Sequence, residues 1–142
     1  MDADLLKKLA DLRDATGERK PSDALVLLEA LKQLAVENEE IREEVEDMDT
    51  LIAQFEWTDV DYKYWLKVGE GVVEYAEGEA EDPSVTMKAT AATWTGLGSG
   101  ELDSTSAYMS GDLQIEGTLQ DAIAYGELNS LVGDALRELG GE

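Results

Sequence analysis

Catalysis needs side chains that move protons, attack electrophiles or hold metals, and this chain offers few of them. It has no cysteine and no histidine. Thiolate nucleophiles, cysteine zinc sites, Ser–His and Cys–His pairs and imidazole ligands are therefore excluded. Carboxylates, hydroxyls and one glycine-rich run are what is left. Asp59, Asp61 and Glu70 stand at positions one, three and twelve of a calcium-loop spacing. Tyr64, however, fills the place that needs glycine, and Lys63 puts a cation where a ligand belongs, so a polar turn entering a strand accounts for them better. In Gly96-Leu97-Gly98-Ser99-Gly100 the serine comes one place too late for a nucleophile elbow, and no Lys-Ser/Thr pair completes a phosphate loop. That run reads as a flexible connector. The acidic stretch from Glu37 to Asp49 reads as a solvated helix face, and no spacing brings paired carboxylates to one cleft. An enzyme is the least expected reading, and no metal and no cofactor are expected.

Charge narrows the partners. Thirty-three acidic residues stand against 11 basic ones, a net charge of −22. Without a basic patch to release counterions, nucleic acid is excluded, and so is anchoring to anionic membranes. An acid excess of this size suits a high-salt cytoplasm, where screening relieves self-repulsion; a generally acidic protein is the alternative. With 43% apolar residues the chain is nonetheless globular, and 142 residues fit one domain. The N-terminus, MDADLLKKLADLRD, carries acids among its leucines and is not expected to act as a signal peptide. No run approaches the ~20 apolar residues that cross a bilayer. The expected location is the cytoplasm.

The elements that would position a site can be read from periodicity. Leu5, Leu9 and Leu12 share one face of a helix expected over Asp2–Thr16, with Gly17 as its stop, and a polar link, Glu18–Pro21, comes next. Ser22 and Asp23 offer cap chemistry ahead of ALVLLEALKQLAV. Two readings then compete. Ala24, Leu27, Leu31, Leu34, Asn38, Ile41, Val45 and Met48 alternate steps of three and four, as in the seam of a coiled-coil dimer. Alternatively the helix breaks near Glu37 and Asn38 caps a second short helix with Glu39 and Glu40 in its first turn. The first predicts a rod; the second predicts helices folded onto a sheet, which suits the strand-like pattern beyond Thr50.

From Leu51 the period becomes two. Leu51, Ala53, Phe55 and Trp57 alternate with Ile52, Gln54 and Glu56; after the turn Thr58–Asp61, Tyr62, Tyr64, Leu66 and Val68 alternate with Lys63, Trp65 and Lys67. Gly69-Glu70-Gly71 turns this strand into VVEYAEG as a hairpin. Val85, Met87 and Ala89 mark a fourth strand beyond the acidic loop Gly78–Pro83. A short helix over Ala91–Leu97, a strand over Asp112–Thr118 and an amphipathic helix over Leu119–Leu139 complete the chain. The fold class is α+β: a five-stranded, mainly antiparallel sheet covered on one face by helices. Trp65, on the lysine-bearing face, would have to lie under a helix or at a pocket mouth. On the inward face, Ala53, Ala89 and Gly117 beside Phe55, Tyr64 and Met87 would leave room for an apolar cavity.

One further pattern stands out. Val85, Thr86 and Met87; Ser99, Gly100 and Leu102; Ala107, Tyr108, Met109 and Gly111; and Leu113, Ile115 and Gly117 come in an order and spacing that resemble the sterol-carrier-protein type-two domain. The hairpin FEWTDVDYKYWLKVGEGVVEYAEG resembles that family's first strands. The resemblance divides the chain into an N-terminal helical extension, residues 1–21, and a sterol-carrier-like domain, residues 22–142. It implies non-catalytic carriage of a sterol, fatty acyl chain or isoprenoid lipid in a hydrophobic tunnel. Inward alternation assigns to that tunnel Phe55, Tyr64, Leu66, Met87, Leu113 and Ile115 on the strands. Trp94, Leu97 and Met109 join them from the connecting region, and Ile123, Leu128 and Leu131 from the last helix.

Two features depart from the family pattern. Gly126 and Gly133 interrupt the last helix, by up to ~1 kcal/mol each relative to alanine. Beyond Arg42, Lys63, Lys67, Lys88 and Arg137 are the only cations in the sequence, so a neutral lipid, or a fatty acid meeting one of them, is expected over an acyl thioester. The competing expectation is an interaction module with a filled core, its N-terminal helices making a homodimer or docking to another subunit. Either a monomer or a homodimer is compatible with the pattern.

Overall fold

A polar residue after a strongly apolar helix decides the N-terminal half. The computed structural model describes residues 23–99 and 102–139, together with Leu5 and Lys7. Helix α1 (Asp23–Glu37) ends where Asn38 leaves helical geometry, at φ −98° and ψ 116°. Its side chain accepts the Ile41 N–H at 3.1 Å, and α2 (Glu39–Asp47) starts there, with Glu39 and Glu40 at the positive end of the helix dipole. No continuous rod forms. Leu28, Leu31 and Leu34 of α1 join Ile41 and Val45 of α2 in one core, so the apolar seam is spent inward. Tyr75 donates its hydroxyl hydrogen bond to Glu29 of α1, which ties this helix to the sheet.

The sheet contains β1 (Leu51–Trp57), β2 (Tyr62–Gly69), β3 (Val72–Glu77), β4 (Val85–Ala89) and β5 (Gln114–Gly117), in the order β3-β2-β1-β4-β5. β1 and β4 run parallel; the other neighbouring pairs are antiparallel. The registers Phe55↔Tyr64 and Phe55↔Met87 gather the apolar alternation of three strands on one face, where the helices lie. The opposite face carries Lys63, Lys67 and Lys88. Trp65 is there too, half-buried opposite Gln54 and Ala76. It therefore faces away from the helical layer and sits at no cavity mouth, correcting the sequence expectation. Gln54 is buried on that face because the loop after β3 folds over it: its amide donates to Tyr64 O at 3.1 Å and Gly78 O at 3.0 Å and accepts from Ala80 N at 2.6 Å.

The second half departs from expectation in three places. Gly96 to Ser99 of the glycine run belong to helix α3 (Ala91–Ser99) rather than to a loose connector, and Gly100 lies outside the described residues. Leu102 explains this: its N–H bonds the Gly96 carbonyl at 3.0 Å, and its side chain lies where a Gly96 Cβ would stand, 2.6 Å away. An unexpected helix α4 (Ser104–Ser110) comes next, capped by the Asp103 carboxylate and ended by Gly111 at φ 89°. Strand β5 is shorter than expected, and Leu113 stays outside it with its N–H on Ala107 O at 3.0 Å. Helix α5 (Leu119–Leu139) runs through both of its glycines. Among the described residues no helix is long and apolar enough to cross a membrane. Leu5 and Lys7 are helical; the remainder of the helix expected over Asp2–Thr16, with most of the 1–21 extension, lies outside the described residues.

This architecture has two measurable outcomes. Gly69 closes β2 at φ 134°, and a Cβ there would stand 2.6 Å from Thr50 Cα and 2.7 Å from the Asp49 carbonyl oxygen. Gly69→Ala is expected to cost about 2–4 kcal/mol in urea unfolding, since strain and backbone overlap act together. An unchanged denaturation midpoint would contradict this. The second outcome concerns salt. The ion pairs Lys63–Glu79 and Lys88–Glu116, at 2.8 Å each, lie largely in solvent and add little stability. They leave the great excess of carboxylates to repel one another. The Debye length shrinks from ~10 Å at 0.1 M to ~3 Å at 1 M, so the melting temperature should climb by several degrees between those KCl concentrations. A flat response would speak for ordinary acidity.

Candidate binding cavity

Between the inner sheet face and the helices lies a cavity of about 660 Å³. Phe55, Trp57, Tyr64, Met87 and Ile115 form its sheet wall. Leu27, Leu28 and Leu31 close it from α1, Trp94 and Leu97 from α3. Helix α5 contributes Ala122, Tyr125, Leu128 and Val132. Its solvent side is marked by wall residues that remain exposed, among them Leu102, Tyr108, Leu119 and Ile123. These apolar side chains share the opening with polar ones, Asp103, Thr105, Glu127, Asn129 and Ser130.

Aromatic packing holds the wall open. Phe55 stacks on Tyr64 with ring centroids 4.8 Å apart and meets Tyr125 at 5.2 Å and Trp94 at 5.9 Å edge-on. Trp94 in turn donates its indole N–H to the Glu56 carbonyl at 3.0 Å, fixing α3 against β1. Asp59, whose spacing suggested a calcium ligand, instead accepts the Ala91 N–H at 2.8 Å and so holds the start of α3. Among the described residues no group of three or more acidic side chains is arranged to hold a metal ion.

Polar groups inside the wall are neutral. Burial raises the Tyr125 phenol to about 12, and burial likewise pushes the Tyr64 phenol upward. The Trp57 indole nitrogen is buried beside the Tyr64 phenol, toward which its N–H points. Among the described wall residues, charge appears at exposed positions, as the carboxylates of Asp103 and Glu127. Asp103 accepts from both the N–H and the hydroxyl of Ser106.

The twelve residues chosen from sequence fall into two groups. Phe55, Tyr64, Met87, Trp94, Leu97 and Leu113 line the cavity, together with Ile115, Ile123 and Leu128. Leu66, Met109 and Leu131 do not. Leu66 packs fully inside the sheet layer opposite Ala53. Met109 is 81% exposed on α4, turned away from the wall. Leu131 faces a small recess beside Asn38, Ile41 and Ala135. The small residues expected to make room are also elsewhere: Ala53 and Ala89 are closely packed, and the space lies against Ala122 and Gly126. Sequence reasoning missed the α1 leucines and Tyr125. Leu27 and Leu31, one helical turn apart, carried a signal that the heptad reading absorbed. Trp57 was legible from sharing the alternation of Phe55.

Comparison with known proteins accords with this geometry. A family model described as the SCP-2 sterol transfer family matches residues 28–129. No curated protein matches the chain by sequence. Among solved structures, a UbiJ-SCP2 ubiquinone synthesis protein aligns at 19% identity and a TM-score of 0.59, over 79% of this chain and 99% of its own. The sterol carrier protein domain 2 of Helicoverpa armigera aligns at 19% identity and a TM-score of 0.58, over 82% of this chain and 94% of its own. A double mutant of the sec-alkyl sulfatase PisA1 aligns at 18% identity and a TM-score of 0.58, over 84% of this chain but only 17% of that longer protein. At such identities the likeness is one of fold.

Proposed function

The chain belongs to the SCP-2 sterol transfer family, and from that premise we propose that it binds and carries a hydrophobic molecule in its cavity without changing it chemically. The observation that carries this reading is a largely apolar, aromatic-walled space of about 660 Å³ that reaches the surface beside the exposed side chains of Leu102, Leu119 and Ile123. Its volume falls within the range of about 300–1,000 Å³ usual for small-molecule sites. Burying an alkyl chain is favourable by ~0.8 kcal/mol per methylene, so a twelve-carbon tail gains about 9 kcal/mol before the entropy of association is subtracted. The wall residues of the sheet, α1, α3 and α5 are the proposed contacts, with α5 as the element that loosens to admit cargo. A filled core, the competing expectation, would leave no such space.

Native mass spectrometry on protein purified without detergent tests the proposal. A co-purified lipid, or stoichiometric uptake of an added fluorescent long-chain lipid, is the expected result. An empty protein that takes up neither a long-chain alcohol nor a fatty acid rejects it.

A further inference from the structure

We infer that the cavity selects its cargo by headgroup charge, taking amphiphiles with a single uncharged oxygen function and turning away carboxylates and phosphate-bearing thioesters. The inference rests on the carriage reading and adds the chemical class of what is carried. Among the described residues the cavity wall contains no lysine or arginine; its ionised groups are Asp103 and Glu127, both acids on the solvent side. The β-strand registers place Lys63, Lys67 and Lys88 on the opposite sheet face, and Lys63 and Lys88 are already engaged by Glu79 and Glu116. A fatty acid therefore reaches none of these three.

Deeper in, the polar groups are of another kind. Trp57 is 3% exposed, and its indole N–H points to the Tyr64 phenol oxygen. The phenols of Tyr64 and Tyr125 belong to the same wall and stay protonated across the physiological range. Neutral donors of this type match a hydroxyl, ester or ketone oxygen, which costs little to desolvate once hydrogen-bonded. A carboxylate would lose its hydration with no cation among the described wall residues to replace it, under the field of a chain carrying a net charge of −22. It would enter only as the protonated acid, with a raised pKa. Its affinity should then fall by roughly tenfold for each pH unit above the free acid's pKa until the bound form also ionises.

The test uses the full chain, stripped of lipid, with the emission of Trp57 and Trp94 as the reporter. 1-Hexadecanol, methyl palmitate and palmitate are titrated at pH 6 and pH 8. At pH 8 the alcohol and ester are expected to bind at least tenfold more tightly than palmitate. Palmitate should recover toward pH 6 while the alcohol stays constant. Glu127→Lys, a change at an exposed position of the wall, should raise the affinity for palmitate relative to that for the alcohol several-fold. Palmitate binding as tightly as the alcohol at pH 8, with no pH dependence, overturns the selection and leaves carriage intact. Failure of all three ligands to bind overturns carriage itself.

Discussion

Replacing Phe55 with alanine is expected to lower the unfolding free energy by about 3–5 kcal/mol, the range found when a buried aromatic ring is removed. The ring is 1% exposed and is the hub of the aromatic cluster, touching Tyr64 across the sheet and Trp94 and Tyr125 from the helical layer. Its loss removes transfer free energy, three ring contacts and the separation between cavity and core. Stability totals of about 5–15 kcal/mol make this a large fraction of the whole. Urea unfolding of lipid-free protein at fixed salt measures it. A cost below about 1 kcal/mol would mean that the neighbouring rings collapse into the gap and that the wall is not rigid.

The second large effect is on binding. Ala122 projects from α5 onto the cavity wall and is itself nearly buried. Ala122→Trp would place an indole inside the space, where overpacking costs no more than about 1–3 kcal/mol because the volume is there to receive it. Uptake of a long-chain ligand should fall by at least tenfold while the circular dichroism spectrum is retained. A folded Ala122→Trp variant that binds as well as the parent would mean that cargo is held elsewhere. Phe55→Ala and Ala122→Trp thus probe opposite properties of one wall, its support and its vacancy.

Periodicity carried most of the architecture and less of the site. The strict alternation from Leu51 to Val68 placed two strands and their buried faces correctly, because burial on one face of a pleated sheet permits little else. Asn38 settled the N-terminal helices locally, through a single side-chain hydrogen bond. Helix α4 went unread although Asp103 and Gly111 carry ordinary start and stop chemistry; with so few apolar residues between them, hydropathy gave no hint. The cavity obeyed a different logic. Alternation tells which face a residue occupies, but Leu66 and Met87 share a face and only Met87 borders the cavity. That depends on how α1 and α5 cross the sheet, a long-range matter on which spacing is silent. The same limit explains Leu131, which is on the correct helix but a turn toward α2.

The parallel pairing of β1 with β4 has a consequence for how the chain reaches its native state. β1, β2 and β3 form a meander of near neighbours that needs only short turns to assemble. β4 must return across that meander to join β1, matching Ala53 with Val85, and α5 is the last element in sequence to settle. Loop-closure entropy makes such distant pairing the slow step. During synthesis the three-stranded half therefore emerges first and waits, its oily side covered by α1 and α2 but not yet by α5, for the C-terminal elements. In pulsed hydrogen exchange the amides between β1 and β2 should gain protection before those between β4 and β5. The interval between the two is when the nascent chain is most vulnerable to self-association.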